Sequence, residues 1–416
     1  IYEVGTNGLI YSDFLFPIKN LTSEELVFSS LYTFILTEVG LKNKTYEEVQ
    51  AHQSSLTGGL NAAIRLQTNI KKDLGSLALS ISSKCLEENF NTMEELILDT
   101  IKSVRFDETK RIQDLLNIFI ARNEESLNQN GHYLAMNSAA SSLNKYSATS
   151  FQLSGLEMLH RSKAAITKIQ KSADPEPIIK ILKSIHSKVQ SKPCKIFTAC
   201  SKGALEDKLS SSMEMKFRSE QELIQPSEAQ IAWITGSQVC YCAEAFQGVS
   251  REHPDSPALS VLATVLRNGF LHTAIREKGG AYGAGANNDT ATHTFKFFSY
   301  RDPKCKDTFT AFNDAIEWAK HSITKQHLEE AILGVVSSID KPLSPVGEAK
   351  NDFNFNLEDI SIAERLAIRQ KIINCSIEDL VRVNNKYLTQ GSKKSILAGE
   401  GYKDQAQELG LKLLEV

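Results

Sequence analysis

Residues Gln230–Phe246, QIAWITGSQVCYCAEAF, decide how this chain folds. Two apolar, aromatic and β-branched runs, Gln230–Thr235 and Val239–Phe246, flank Gly236-Ser237, and this pattern reads as two strands paired across a turn. Downstream, Ser256–Phe270 reads as a helix with Pro257 in its first turn, where a missing N–H costs little. A glycine-rich loop follows. Thr292–Tyr300 then alternates as a strand, three or four helices occupy Thr308–Tyr387, and Lys394–Leu397 closes with a short strand. Upstream, Lys195–Cys200 reads as a strand and Gly203–Ser211 as a helix, so this group has its own beginning.

The residues before it show the same order. Gly8–Ile18 reads as a strand running into Pro17. Ser23 can cap a helix from Glu24 to about Val39, with Gly40 as its stop, and Thr45 starts another over Tyr46–Leu56. Leu60–Thr68 and Ser76–Ser82 are strand-like. Thr92–Val104 and a long stretch from Asp107 past Met136 are helical, the latter with Ile112, Leu115, Leu116 and Phe119 at helical spacing. Its alanine- and serine-rich continuation, Ala135–Ser142, predicts close packing against a neighbour. Strands followed by helices, twice over, predict an α+β fold of two similar domains, each a mostly antiparallel sheet with helices packed on one face. The stretch Ser187–Pro193 is the expected boundary, giving domains 1–190 and 191–416, the second carrying the glycine-rich loop.

Composition narrows the function classes. The chain has 416 residues, a formal net charge of -3, 41% hydrophobic and 23% charged residues, the balance of an ordinary globular protein. Near-neutrality gives no electrostatic basis for binding nucleic acid or a membrane, and Lys71-Lys72 and Lys393-Lys394 are too short to change that. No apolar run approaches the roughly 20 residues of a membrane span, and no signal peptide is visible. The seven cysteines are odd in number and lack Cys-x-x-Cys spacing, so a disulfide framework or zinc ribbon is not expected. Cys240 and Cys242 would share a strand face, but a metal there would need two more ligands. They read as buried thiols, and a reducing compartment, cytoplasm or organelle matrix, fits. The chain begins at Ile1 and is expected to be a fragment or processed product of something longer.

The chemistry sits in Leu271–Gly285, where four glycines fall within seven residues after a helix. Glycines let the chain turn sharply and approach a ligand closely, although the order required of a phosphate loop is missing. Arg276 and Tyr282 flank the turn. Arg offers a charged planar fork and Tyr a neutral hydroxyl, and both can be aimed at a carbonyl oxygen as it gains negative charge. By chemistry alone they are equally an Arg in a surface salt bridge and a Tyr packed on a strand. His272 and His293 flank the loop and read either as channel-lining or, more simply, as structural histidines. Paired acids such as Glu24-Glu25, Glu47-Glu48 and Glu124-Glu125 read as helix-start or solubility features.

Arg276-Glu277-Lys278-Gly279-Gly280-Ala281-Tyr282-Gly283 resembles the C-terminal-half signature of the pitrilysin/insulinase metallopeptidases, where an Arg and a Tyr help bind the scissile carbonyl. Tyr282 follows Arg276 by six positions, as in the presequence-protease branch; other branches commonly place the Tyr one residue further on. Phe16-Pro17-Ile18 to Leu60-Asn61-Ala62-Ala63 also resembles the start of that branch's C-terminal half. The resemblance implies a zinc metalloendopeptidase that degrades unfolded peptides, with Arg276 and Tyr282 as catalytic donors. Gly279, Gly280 and Gly283 would shape the substrate-binding turn. The partner it implies is an N-terminal zinc-binding half, on the same polypeptide or a separate subunit.

The family's His-x-x-Glu-His is absent. Glu252-His253 comes nearest, but Val249 stands four before His253. If Gly40 anchors the first helix against the active one, the slots of the two histidines and the glutamate hold Leu31, Ile35 and Phe34. Catalytic zinc needs three protein ligands and an open position, so this chain is expected to hold no cofactor and to be inactive alone, with zinc in the other half. The alternative from another class is a non-catalytic structural or binding subunit of the same fold. A His-x-x-Glu-His domain in frame upstream would favour the protease, and a start codon near Ile1 the subunit.

Overall fold

A computed structural model describes residues 1–69, 74–172, 174–205 and 220–416. Most of the predicted helix Gly203–Ser211, and Lys71-Lys72, lie outside them. The fold is α+β, with two sheets and helices packed on them. It divides into two compact units, each built from several stretches: Ile1–Arg122 with Arg161–Glu222 and Pro342–Ser361, and Asn123–His160 with Leu223–Lys341 and Ile362–Val416. The expected boundary near Ser187–Pro193 falls inside the first unit, because the strand that follows it hydrogen-bonds into the first sheet.

The first unit's sheet has β1 (Tyr2–Glu3), β2 (Leu9–Ile18), β3 (Thr57–Asn69), β4 (Leu74–Leu86) and β5 (Lys195–Cys200), in the order β1-β5-β2-β4-β3. All pairs are antiparallel except β1 with β5. The helix after β2 spans Ser23–Leu36, and its N-cap is Thr22 rather than Ser23. The Thr22 side chain accepts from Glu25 N, and Glu25 accepts from Thr22 N at 2.7 Å. Only a cap three residues before a glutamate can make that reciprocal pair; from Ser23 the third residue is Leu26. Thr45 and Glu48 repeat the arrangement for Tyr46–Leu56, so these acid pairs do serve helix starts. The helix Pro345–Leu357 lays Ala349 and Phe353 against Leu15, Ala78 and Phe197 of this sheet. Its Lys350 reaches the buried Asp13, which also takes Arg65 at 2.9 Å and Ser80 at 2.5 Å.

The second unit's sheet has β6 (Ile231–Thr235), β7 (Tyr241–Gln247), β8 (Gly283–Asp289), β9 (Thr294–Tyr300), β10 (Lys393–Gly399) and β11 (Lys412–Glu415), in the order β11-β6-β10-β7-β9-β8. The runs read as a pair across Gly236-Ser237 are not paired with each other. Strand β10 lies between them, parallel to β6 and antiparallel to β7. Its insertion satisfies the facing backbone edges of both, which a direct turn would have joined.

Both faces of this sheet are buried, which is why β6 and β7 read as nearly continuous apolar runs. Ala232, Ile234, Cys240, Cys242, Phe246 and Ile396 face one core with the helices Ser256–Leu266, Lys306–His321 and Ile377–Tyr387. The alternate residues Trp233, Tyr241, Ala243, Ala245 and Leu397 face another, formed with Leu127, Ala135, Met136, Ala139, Phe151 and Leu159. The close packing expected of Ala135–Ser142 is present: Trp233 is fully buried and donates to Ser138 Oγ at 2.8 Å. Ser395 Oγ lies 2.9 Å from the same oxygen. A buried indole N–H needs such a partner.

Thr308–Tyr387 holds five helices rather than three or four, because Thr324, Ser344 and Ser376 each cap a new start. The continuous helical stretch Ser256–Glu277 has the length and composition of a membrane span, unlike the sequence expectation. Leu259, Val261, Leu262, Leu266 and Leu271 are nonetheless buried in the second unit's core, as a core helix requires.

Candidate functional site

Glycine dictates the geometry of the Arg276–Tyr282 loop. The predicted helix Ser256–Phe270 runs on: after Leu266 the chain winds as a π-helix over Arg267–Glu277, a form often found at functional sites. The helix must then stop within a few residues to enter β8. Gly280, at φ +86, turns the chain through the left-handed region that glycine enters without penalty. Its N–H satisfies Arg276 O at 3.1 Å, and Ala281 N–H satisfies Ile275 O at 3.1 Å, closing carbonyls the helix end leaves open. A Cβ on Gly279 would stand 2.4 Å from Ile275 O, whereas one on Gly283 would meet nothing nearer than Tyr300 Cβ at 3.9 Å. Gly279 and Gly280 are therefore required by the backbone, and Gly283 is not.

This turn brings Arg276 and Tyr282 to one open hollow of about 690 Å³, lined by His272, Arg276, Glu277, Gly280, Ala281, Tyr282 and Arg301. Gly279 and Gly283 are not among its lining residues. Tyr282 N donates to Tyr300 O at 3.0 Å, extending the β8–β9 ladder by one step, and its ring meets Tyr300 edge-on at 5.5 Å. With its ring base fixed in this way, the side chain is still 69% exposed, an unusual setting for a tyrosine. The Arg276 guanidinium lies 3.0 Å from His272 Nε2, and His272 Nδ1 is 3.4 Å from Glu277 Oε1. A charged fork and a phenol hydroxyl thus border the same space, and both can donate to an oxygen placed there.

Arg301 carries no signal in the sequence. It follows β9 at φ +48, and its guanidinium lies 5.5 Å from the centre of the Tyr300 ring. It reaches the hollow because β9 pairs with β8 in the register Tyr300 opposite Gly283, which sets the next residue of one strand beside the previous residue of the other. Only that register could have revealed it.

His293 is absent from the hollow's lining. It is buried, packs against Tyr146 at 4.7 Å between ring centres, and burial lowers its pKa, the behaviour of a structural histidine. His253 accepts from Asp255 N at 3.0 Å. At the positions compared with a zinc motif, Leu31 and Ile35 are fully buried, and Phe34 packs against Phe119 at 5.7 Å and Arg122 at 5.1 Å. None of these three side chains offers a zinc ligand, so the helix does not fit that metal.

Among the described residues, the one group of three or more His, Cys, Asp or Glu side chains whose ligand atoms come within 4.8 Å of one another is Cys240, Cys242 and Cys305. Cys240 and Cys242 share a face as expected, and Cys305, more than sixty positions on, joins them. Hydrogen bonds from Cys240 and Cys242 hold the Cys305 thiol well below its usual range. Burial pushes Cys242 up. At Cys240 the Cys242 contact pulls down, but the Cys305 contact and burial outweigh it.

Known proteins share this sequence and fold. Residues 1–164 match a family described as associated with subfamily C of the M16 peptidases, and residues 234–396 match the "PreP C-terminal domain". The chain is 27% identical over 410 residues to the mitochondrial presequence protease of Yarrowia lipolytica, covering 95% of this chain and 41% of that protein. It is 29% identical to the Drosophila melanogaster presequence protease, covering 91% and 37%. It therefore spans about two fifths of the length of these curated relatives. In fold it is similar to a protease from Helicobacter pylori, with TM-score 0.64, 16% identity and 94% of each chain covered. It is also similar to a peptidase M16 inactive domain from Pseudomonas fluorescens, with TM-score 0.61, 16% identity and 94% and 92% covered.

Proposed function

Because this chain belongs to the pitrilysin/insulinase (M16) metallopeptidases, as the counterpart of the non-zinc-binding C-terminal part of presequence proteases, we propose that it closes the chamber of a peptide-degrading zinc endopeptidase and binds the substrate carbonyl there. The observation that carries this reading is the shared placement of Arg276 and Tyr282 on one open hollow. Its partners would be an N-terminal zinc-binding half and unfolded peptides, in an organelle matrix like that of the mitochondrial relatives. Both units, with their repeated sheet-plus-helix plan, would belong to this closing wall.

In this reading the zinc and its chemistry belong to the other half, and no residue here takes part in holding the metal. This chain's own contribution is to bind and stabilise. Arg276 and Tyr282 would each donate to the scissile carbonyl oxygen. Their bonds would strengthen as that oxygen becomes an oxyanion, which lowers the barrier rather than merely tightening binding. Arg301, on the same hollow, would add a second cation, and the π-helical stretch would set the direction of Arg276. Closure of the two halves would exclude water from the site.

Reconstitution tests this. The purified chain alone should cleave no unfolded peptide and hold no stoichiometric zinc, whereas addition of a presequence-protease N-terminal half should yield zinc-dependent cleavage. Tightly held zinc together with cleavage by this chain alone would contradict the proposal. So would an assembled, zinc-loaded enzyme that cleaves no peptide.

A further inference from the structure

We infer that Cys240, Cys242 and Cys305 form a trigonal binding site for a soft monovalent cation, Cu(I). Three features of the cluster carry this. The first is distance. Thiolates about 2.3 Å from a central ion, spread evenly in a plane, stand about 4 Å from one another. The Cys240 and Cys242 sulfurs are 3.6 Å apart, and all three lie within 4.8 Å of one another. Small rotations of the side chains bring them to that triangle.

The second feature is the number of donors. No imidazole, carboxylate or further thiol among the described residues joins the three sulfurs. The buried Asp302 nearby is already engaged, accepting from Thr308 Oγ1 at 2.6 Å and Lys304 N at 2.9 Å. Zinc requires four ligands in a closed site. Cu(I) is selected by soft thiolates and is satisfied by three, so the donor count favours it.

The third is charge. A Cu(I) ion bound by two or three thiolates leaves a net negative charge in the interior, which is costly unless compensated. Cys305 is the N-cap of the sixteen-residue helix Lys306–His321, and its carbonyl accepts the first intrahelical bond, from Thr308 N at 3.2 Å. The positive end of that helix dipole faces the cluster and offsets the charge. The strand periodicity of β7 holds the other two sulfurs on one face, and their neighbours in the core are apolar, which excludes competing water.

The test is a competition titration of the reduced, anaerobic chain with Cu(I) delivered from a chromophoric Cu(I) chelator, followed by X-ray absorption of the loaded protein. One Cu(I) per chain should be withdrawn from the chelator, with three sulfur neighbours. Cys305→Ala and Cys242→Ala should lose that withdrawal, whereas Cys85→Ala and Cys194→Ala should keep it. Circular dichroism checks that each variant is folded. Should the cluster variants fail to fold, the wild-type coordination number still decides, together with alkylation after unfolding, which should show these three cysteines protected by Cu(I). The assignment is overturned by failure to withdraw Cu(I) from the chelator, by coordination with fewer than three sulfurs, or by protection of other cysteines. Equally tight retention of zinc by the same three residues would overturn the selectivity.

Discussion

His272 Nε2 lies 3.0 Å from Arg276 Nη1, four residues back along the same helical stretch. A guanidinium only donates, so the imidazole accepts at Nε2 and carries its proton on Nδ1, facing Glu277 Oε1 at 3.4 Å. A chain of three side chains thereby sets the direction of the Arg276 fork. His272→Ala should leave folding unchanged, because the ring is exposed, yet lower kcat of the assembled enzyme about tenfold. Misplacing a transition-state donor by an ångström costs up to ~100-fold. His272→Gln, which keeps an acceptor, should restore most of the loss. Equal kcat for His272→Ala and wild type would remove the positioning role.

The glycines of the turn should rank by what a methyl group would meet. Gly279→Ala drives its Cβ into Ile275 O, and Gly280→Ala forces a left-handed alanine, which costs about 1–2 kcal/mol. Gly283→Ala has room. Thermal melting and peptidase assays should therefore find Gly283→Ala near wild type and the other two impaired. A Gly283→Ala variant as damaged as Gly279→Ala would show that the turn has another constraint.

Lys350 anchors the helix Pro345–Leu357 to the first sheet through Asp13, whose side chain is 1% exposed. Losing one partner of a fully buried ion pair costs about 3–5 kcal/mol. Here Arg65 still pairs with Asp13 at 2.9 Å and Lys350 is partly solvated, so Lys350→Ala should cost about 1–3 kcal/mol in denaturant unfolding. Asp13→Ala, which strands two cations, should cost more. The reverse order would contradict this account of the contact.

Asp255 gives the acid limit of the second unit. Burial pushes its carboxyl up, but bonds from Lys386 at 2.9 Å, Tyr387 at 2.7 Å and Arg382 at 2.6 Å outweigh that and hold it well below the usual carboxylate range. A depressed folded value stabilises the fold above the unfolded value of about 3.9, and this stability is lost as pH falls below it toward the folded value. Asp255→Asn should cost about 1–2 kcal/mol at pH 7, discounted for the half-exposed Arg382 and Lys386. Between pH about 5 and 3 its stability should change less than that of wild type. Parallel pH profiles for the two proteins would show that Asp255 is not the group responsible.

The α+β plan and the Arg276–Tyr282 segment were legible because their signals are local. Strand alternation, helix spacing and clustered glycines each lie within about fifteen residues. What was missed depends on distant partners. Strand β10 separates β6 from β7, and it arrives more than 140 positions after β7 ends. Strand β8, GAGANND, has no β-branched or aromatic residue and is a strand only because β9 pairs with it. Cys305 and Arg301 reach their sites through sheet register, which composition does not encode. The Thr22 cap, by contrast, was readable from the Glu25 three positions later.

The central claim is that Tyr282 and Arg276 donate to the scissile carbonyl oxygen as charge develops on it. Single-turnover and steady-state cleavage of an unstructured peptide by the assembled, zinc-loaded enzyme tests it most directly, comparing wild type with Tyr282→Phe and Arg276→Ala. Loss of one oxyanion donor should lower kcat by about 100–1,000-fold, with KM, zinc content and melting temperature nearly unchanged. Wild-type kcat in both variants would contradict the claim.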